Sequence, residues 1–254
     1  MAFLGKLFEK KVCSICGSEI KLLGNRKLED GNLCKVCAGK LSPWFEERRS
    51  STVEQIREQL LYREENQEKV ERIRVTRTLG ATVKVLLDED AGQFMVTDRR
   101  DWKKENPDVL TFSDVTGCIV DIEENCTELM ITDKDGNESS YRPPRYQYEY
   151  DFYVTIHVRN PYFDEIRFKV NDSTVESQPT VGAANLLRNM EYQRYKKMSE
   201  EIKDALLNGR KLAREEEIAA AAPKMPVICP YCGAQTLPDT QGCCEYCRSV
   251  IAGN

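Results

Sequence analysis

Eleven cysteines stand at positions 13, 16, 34, 37, 118, 126, 229, 232, 243, 244 and 247, and nine of them fall in two clusters built on C-x-x-C pairs. No other feature of the chain restricts its fold as strongly. A C-x-x-C turn sets two sulfurs on one side of a tight knuckle, and two facing pairs complete a tetrahedron around a metal ion. Seventeen residues separate Cys13-x-x-Cys16 from Cys34-x-x-Cys37, a ribbon-type spacing, with Gly17 placed where a knuckle needs positive φ. Near the other end, Cys229, Cys232, Cys244 and Cys247 form the second expected quartet, with Cys243 as the alternative to Cys244. In a reducing compartment, pairs of pairs signal metal rather than disulfides. Two closed, structural Zn2+ sites are therefore expected. Four thiolates also hold iron; ribbon spacing and structural duty favour zinc.

The first quartet carries more than spacing. Cys13, Cys16, Gly17, the Leu-Gly-Asn-Arg-Lys-Leu stretch from Leu23 to Leu28, Asp30-Gly31, Cys34 and Cys37 together resemble the small cysteine-rich domain catalogued as domain of unknown function 4428. The resemblance covers about thirty residues. It implies a zinc-binding module and brings no activity with it. The tail from Cys229 to Cys247 resembles the short zinc ribbons that terminate many bacterial regulatory and membrane-associated proteins, a class with no single function.

Between the clusters, residues 78–170 read as roughly seven short strands: 82–87, 93–97, 109–112, 117–122, 127–132 with 138–142, then 148–159 and 164–170. Asp88–Gly92 and Asp133–Asn137 have hairpin-loop composition. Tyr148, Tyr150, Phe152, Val154, Ile156 and Val158 alternate with polar residues, so that face is expected to be buried. A helix over 183–221 follows, its apolar face drawn from Leu186, Leu187, Met190, Tyr195, Met198, Ile202, Ala205 and Leu206. The count predicts an α+β fold: an antiparallel, seven-stranded, pleckstrin-homology-like barrel or sandwich with a C-terminal helix, flanked by two small zinc ribbons. An unrelated β-sandwich with a docked helix is the runner-up. The expected divisions are 1–42 (first ribbon), 43–77 (connecting helix), 78–222 (β module with its helix) and 223–254 (second ribbon). In the connector, Ser42-Pro43 reads as a helix start and Ser51-x-x-Glu54 as a capping box. Val53, Ile56, Leu60, Val70 and Ile73 make an apolar stripe interrupted by Arg63, Glu64 and Gln67, which suits a helix resting on the β module better than a coiled coil.

Catalysis is not expected. His157 is the only histidine, mid-strand on the more polar face, and no phosphate loop or nucleophile elbow is present. Cys118 and Cys126 flank a turn expected around Glu123-Glu124-Asn125 and read as packed thiols that could approach across a hairpin. Asp133-x-Asp135-Gly136 departs from calcium-loop spacing. No run reaches the ~18–20 apolar residues needed to span a bilayer, and the first eleven residues lack a signal-peptide core. The chain is read as cytoplasmic.

The leading functional expectation is a non-enzymatic zinc-binding adaptor whose partner is a protein. Two others stand beside it. A net charge of −5 disfavours nucleic-acid binding by the whole molecule, yet residues 1–42 carry eight Lys/Arg against four Asp/Glu. Lys21, Arg26, Lys27, Lys35 and Lys40 could therefore contact phosphates. Phe3, Leu4, Leu7 and Phe8 with Lys6, Lys10 and Lys11 could rest on an anionic membrane surface.

Overall fold

The structure, a computed structural model, describes residues 11–21, 23–221, 226–239 and 241–251. The described residues divide into two compact units, one up to Ala213 and one from Arg214 onward.

The first unit opens with two small hairpins, β1 (Lys11–Val12) with β2 (Glu19–Ile20) and β3 (Arg26–Lys27) with β4 (Asn32–Leu33), followed by the one-turn helix α1 (Lys35–Ala38). Ser42-Pro43 does not start a helix. The Ser42 hydroxyl instead accepts the Trp44 N–H (3.1 Å) and donates to Asp108 (2.8 Å), closing a turn. The long connector helix α2 spans Val53–Arg72. Its capping box lies one residue beyond the expected one: Thr52 accepts from the Gln55 N–H and the Gln55 side chain accepts from the Thr52 N–H. Both registers satisfy the sequence rule, but the Ser51 hydroxyl is spent on the Glu47 carbonyl (2.9 Å).

Helix α2 buries Ile56, Gln59, Arg63, Asn66 and Val70, an unbroken 3–4 spacing in which three of five members are polar. Its first turns complete the core of the cysteine module: Val53, Ile56 and Leu60 pack with Ile20, Leu28, Leu33 and Leu41. Its end packs Val70 and Ile73 on Leu86, Met95 and Val109.

The strand-rich region contains eight strands among the described residues, in two four-stranded antiparallel sheets. The first runs in the order β5 (Arg77–Gly80), β6 (Lys84–Asp88), β7 (Gln93–Thr97) and β8 (Leu110–Thr111). Helix α3 (Trp102–Glu105) precedes its last strand. Val85-Leu86-Leu87 and Phe94-Met95-Val96 are apolar without alternation because both faces of this sheet are covered, Leu86 and Met95 by α2 and the rest by the main core.

The second sheet contains β9 (Val115–Thr132), β10 (Glu138–Val158), β11 (Glu165–Lys169) and β12 (Val175–Glu176), with β9 along one edge of β10 and β11 and β12 along the other. Four of the expected short strands are thus two long ones. No turn forms at Glu123-Glu124-Asn125; these residues pair with Asp151, Tyr150 and Glu149 in a continuous ladder. The ladder breaks instead between Ser140 and Arg145, where Pro143 and Pro144 lack the N–H a strand interior needs. The expected alternation holds: Tyr150, Phe152, Val154, Ile156 and Val158 are all buried. Neither sheet closes on itself, so the arrangement is two open antiparallel sheets sharing one core: of the expected barrel or sandwich the closed barrel does not form, and the strands of the two sheets number eight among the described residues.

Helix α4 (Met190–Ala221) starts later than its hydrophobic pattern suggests, because Asn189 Oδ1 accepts the Tyr192 N–H (3.0 Å) and caps it there. Leu187 and Met190 are consequently exposed, at 87% and 86%, and do not belong to its apolar face. Tyr192, Tyr195, Ser199, Ile202, Leu206 and Gly209 form the buried stripe. Tyr192 meets Tyr150 and Phe152 edge-on, with ring centroids 4.9 and 5.1 Å apart. Gly209 lets the helix settle on Phe112: a Cβ there would lie 2.7 Å from the ring, which is itself stacked on Phe94. Gly209→Ala is expected to destabilise the first unit by about 1–2 kcal/mol, overpacking exceeding the gain in helix propensity. Asn208→Ala, on the exposed side, should be neutral or slightly stabilising. Urea unfolding of the two variants checks the contrast.

The second unit holds the end of α4 and the hairpin of β13 (Val227–Ile228) with β14 (Gln235–Thr236). No helix among the described residues is long and apolar enough to cross a membrane.

Candidate metal centres

In the first cluster, the Cys13–Cys16 turn is a tight knuckle. The Gly17 N–H donates to the Cys13 carbonyl (2.9 Å) and the Cys13 N–H to the Ser18 carbonyl (2.9 Å). Gly17 has φ +73°, which an L-side chain adopts only with strain. The second pair is built differently from the expected matching knuckle. Cys34 caps α1, the Ala38 N–H donates to its carbonyl (2.9 Å), and Cys37 lies within the helical turn. A helical turn also sets positions i and i+3 on one face, so the sulfurs still converge.

Two backbone N–H groups point at sulfur, Cys34 N–H at Cys13 Sγ and Cys37 N–H at Cys34 Sγ, both 3.4 Å. Such donors favour thiolate. Cys16 Sγ lies 3.4 Å from the Ser18 hydroxyl, and that hydroxyl with the Ser18 N–H draws the Cys16 thiol down to about 6. Burial pushes the Cys37 thiol the other way.

The second cluster repeats the knuckle twice. The Gly233 N–H donates to the Cys229 carbonyl (2.9 Å) and the Arg248 N–H to the Cys244 carbonyl (2.8 Å). Gly233 (φ +70°) and Arg248 (φ +58°) occupy the same left-handed position. Ser249 lowers the Cys247 thiol to about 6 through its hydroxyl and N–H, as Ser18 does for Cys16. Cys244, not Cys243, faces the other three sulfurs; Cys243 Sγ lies 3.8 Å from the Gln241 carbonyl.

Within each quartet, Cys13, Cys16, Cys34 and Cys37 or Cys229, Cys232, Cys244 and Cys247, the four sulfurs lie within 4.8 Å of one another. Individual separations are 3.8 Å (Cys16–Cys34), 3.5 Å (Cys229–Cys247) and 3.7 Å (Cys232–Cys244). A tetrahedron of metal–sulfur bonds of about 2.3 Å has edges of about 3.8 Å, so the donor sets fit two tetrahedral thiolate-bound ions.

Residues 11–59 match the family described as Domain of unknown function (DUF4428). The match runs beyond Cys37 through the Ser42 turn and two turns into α2, and the packing explains why. Asp30 Oδ1 accepts the Val53 N–H (2.7 Å), Arg57 donates to the Ser14 carbonyl (3.1 Å), and Ile56 is fully buried against the module. The DUF4428 stretch therefore includes the helix that closes its core. No curated protein and no solved structure matches the chain.

The remaining candidates separate clearly. Cys118 and Cys126 sit on one continuous strand, eight residues and so about 26 Å apart, and cannot meet. Cys118 is buried and its thiol is pushed up to about 11 by burial, whereas Cys126 is exposed. Iodoacetamide applied to metal-loaded protein is expected to modify Cys126 and spare Cys118, read by peptide mass spectrometry. His157 is partly exposed, with Nδ1 3.9 Å from Glu165. The Asp133 carboxylate accepts the Asp135 and Asn137 N–H groups (both 2.9 Å), so this loop is a self-closed hairpin turn. Phe3, Leu4, Leu7 and Phe8 lie outside the described residues.

One polar centre escaped sequence reading. Arg63 pairs with Asp108 at 2.6 Å, with side chains only 6% and 1% exposed. Arg63 also donates to the Lys40 carbonyl (3.2 Å) and the Asn106 carbonyl, and Asn66 holds Pro107 and Val109. The network joins the end of the cysteine module, α2 and the loop before β8. Its only sequence signal is negative: polar residues at positions where the helical period calls for apolar ones.

Proposed function

We propose that the chain is a non-enzymatic zinc-binding interaction protein, in which two structural Zn2+ ions hold small modules that precede and follow a larger protein-binding module in the sequence. The observation that carries this reading is the donor geometry of the two quartets. Four thiolates around one ion leave no position for a water or substrate, and such sites ordinarily contribute folding energy. The residues of each site fix its ion from loops and one helical turn; none of them offers a second reactive group. We read the 78–222 region as pleckstrin-homology-like. Two antiparallel sheets with a helix packed on their shared core support that comparison.

A second reading rests on the exposed Lys21, Lys27, Lys35 and Lys40 of the first module, which could neutralise nucleic-acid phosphates. It predicts binding that falls steeply with salt.

Metal analysis of natively purified protein, paired with cross-linking to copurifying proteins, tests the main reading. Two zinc ions per chain and a reproducible protein partner are expected. Iron, or fewer than one ion per chain, overturns the structural-zinc assignment. Cross-links only to RNA or DNA favour the second reading.

A further inference from the structure

Two turns in the first unit face each other across an open groove of ≈ 600 Å3: residues 43–47, which follow the cysteine module, and residues 160–165, which link β10 to β11. That volume lies within the usual range of ligand sites, ~300–1,000 Å3. Trp44, Phe45 and Tyr162 supply aromatic surface, with Phe163 buried behind them. Glu46, Glu47, Asp164 and Glu165 supply four carboxylates. Among the described residues, Glu46, Glu47 and Asp164 have no cationic partner, and Glu165 has only the distant His157. Arg167, the cation among the described residues on the rim, is already committed: it pairs with Glu123 at 2.7 Å and lies 4.3 Å over the Tyr153 ring. Burial and then Glu58 and Glu65 of α2 push the Tyr162 phenol up, so the negative field extends behind the aromatic wall.

Both walls are held from beneath. Asn160 donates to the Tyr62 hydroxyl of α2 (3.0 Å), and the Tyr62 and Tyr162 rings lie 5.0 Å apart. The Asn160 carbonyl oxygen of the side chain also accepts the Tyr162 N–H (2.9 Å). On the other side, Ser42 anchors the 43–47 turn to Asp108. A groove fixed in this way loses little conformational entropy when it is filled.

We propose that this groove binds a cationic segment of a protein partner, a stretch of Lys or Arg interleaved with apolar residues. Aromatic faces attract ammonium and guanidinium groups, and unpaired carboxylates in a concave surface raise the local concentration of cations. The same features repel nucleic acid and anionic membranes. The proposal rests on the interaction reading above and names the chemistry of the partner. Because one wall follows directly on the cysteine module and its Phe45 packs against that module's core, the groove also depends on the first metal site.

The test is isothermal titration of the metal-loaded full-length chain with the capped peptide Gly-Lys-Arg-Leu-Lys-Arg-Gly, using Gly-Glu-Glu-Leu-Glu-Glu-Gly as its anionic counterpart. Saturable binding of the basic peptide alone is expected, weakening as salt is raised. The triple variant Glu46→Gln, Glu47→Gln, Asp164→Asn should bind it about tenfold more weakly while keeping both ions and its unfolding midpoint. Equal binding by the triple variant, equal binding of the anionic peptide, or no saturable binding overturns the proposal. Salt-sensitive self-association that the same triple variant abolishes also overturns it, by making a second copy the occupant. A natural partner that still cross-links to the triple variant removes the groove but leaves the interaction reading standing; absence of any partner from wild-type preparations removes that reading itself.

Discussion

Cys13→Ala is expected to remove one of the two metal ions per chain and to unfold the segment from residue 11 to residue 41. Cys13 is 2% exposed and contributes to the small core of Ile20, Leu28, Leu33 and Leu41 as well as to the sulfur quartet. A unit of this size buries too little surface to fold unaided, whereas a structural zinc ion contributes an apparent binding free energy of about 10–16 kcal/mol at neutral pH. Three sulfurs retain only part of that, and the alanine also leaves the Cys34 N–H without its sulfur acceptor. Metal content should fall from two ions to one, and trypsin should cut at Lys21, Arg26, Lys27, Lys35 or Lys40 faster than in the parent protein, where the folded backbone is expected to protect these sites. Cys118→Ala and Cys243→Ser are the controls: neither sulfur belongs to a quartet, and both variants should keep two ions. Retention of two ions and of protease resistance by Cys13→Ala would falsify the assignment of the first site.

The second large effect comes from Arg63 and Asp108. Removing one partner of a buried ion pair leaves the other charge without compensation, at a cost of about 3–5 kcal/mol. Asp108→Ala strands the guanidinium; Arg63→Ala strands the carboxylate and also frees the Lys40 and Asn106 carbonyls. Each single variant should lower the urea midpoint strongly. The double variant Arg63→Met, Asp108→Leu should be more stable than the sum of the single losses predicts, because no charge remains buried. It should not regain the parent's stability, since those two carbonyls stay unpaired. Hydrogen exchange gives the structural readout: the amides of Trp44, Phe45, Asp108 and Val109 should lose protection before those of β10. Additive single effects would mean that the pair is not coupled.

These expectations also mark how far the linear sequence reaches. The two quartets were legible because metal coordination is a local demand on spacing, and C-x-x-C meets it whether its turn is a knuckle or the start of a helix. For the same reason the spacing did not reveal that Cys34 and Cys37 open α1. The alternation from Tyr148 to Val158 was legible because one side of a strand must enter the core. Strand continuity was not: Glu123-Glu124-Asn125 has turn-like composition, and only the partner strand, supplying pairs from Glu149 to Asp151, keeps it extended. The late start of α4 lay in the Asn189 cap, which a hydrophobic count passes over.

What the sequence determined by itself was therefore the set of features with short-range physical causes, namely the two cysteine quartets, the turns at Asp88–Gly92 and Asp133–Asn137, and the alternating faces. Tertiary structure decided where α2 rests and which of its polar residues are interior. Arg63 looks like an interruption of an apolar stripe until Asp108, more than forty residues away, arrives to satisfy it. A buried polar group left without a partner is costly, and a partner that distant in the chain is set by the fold alone.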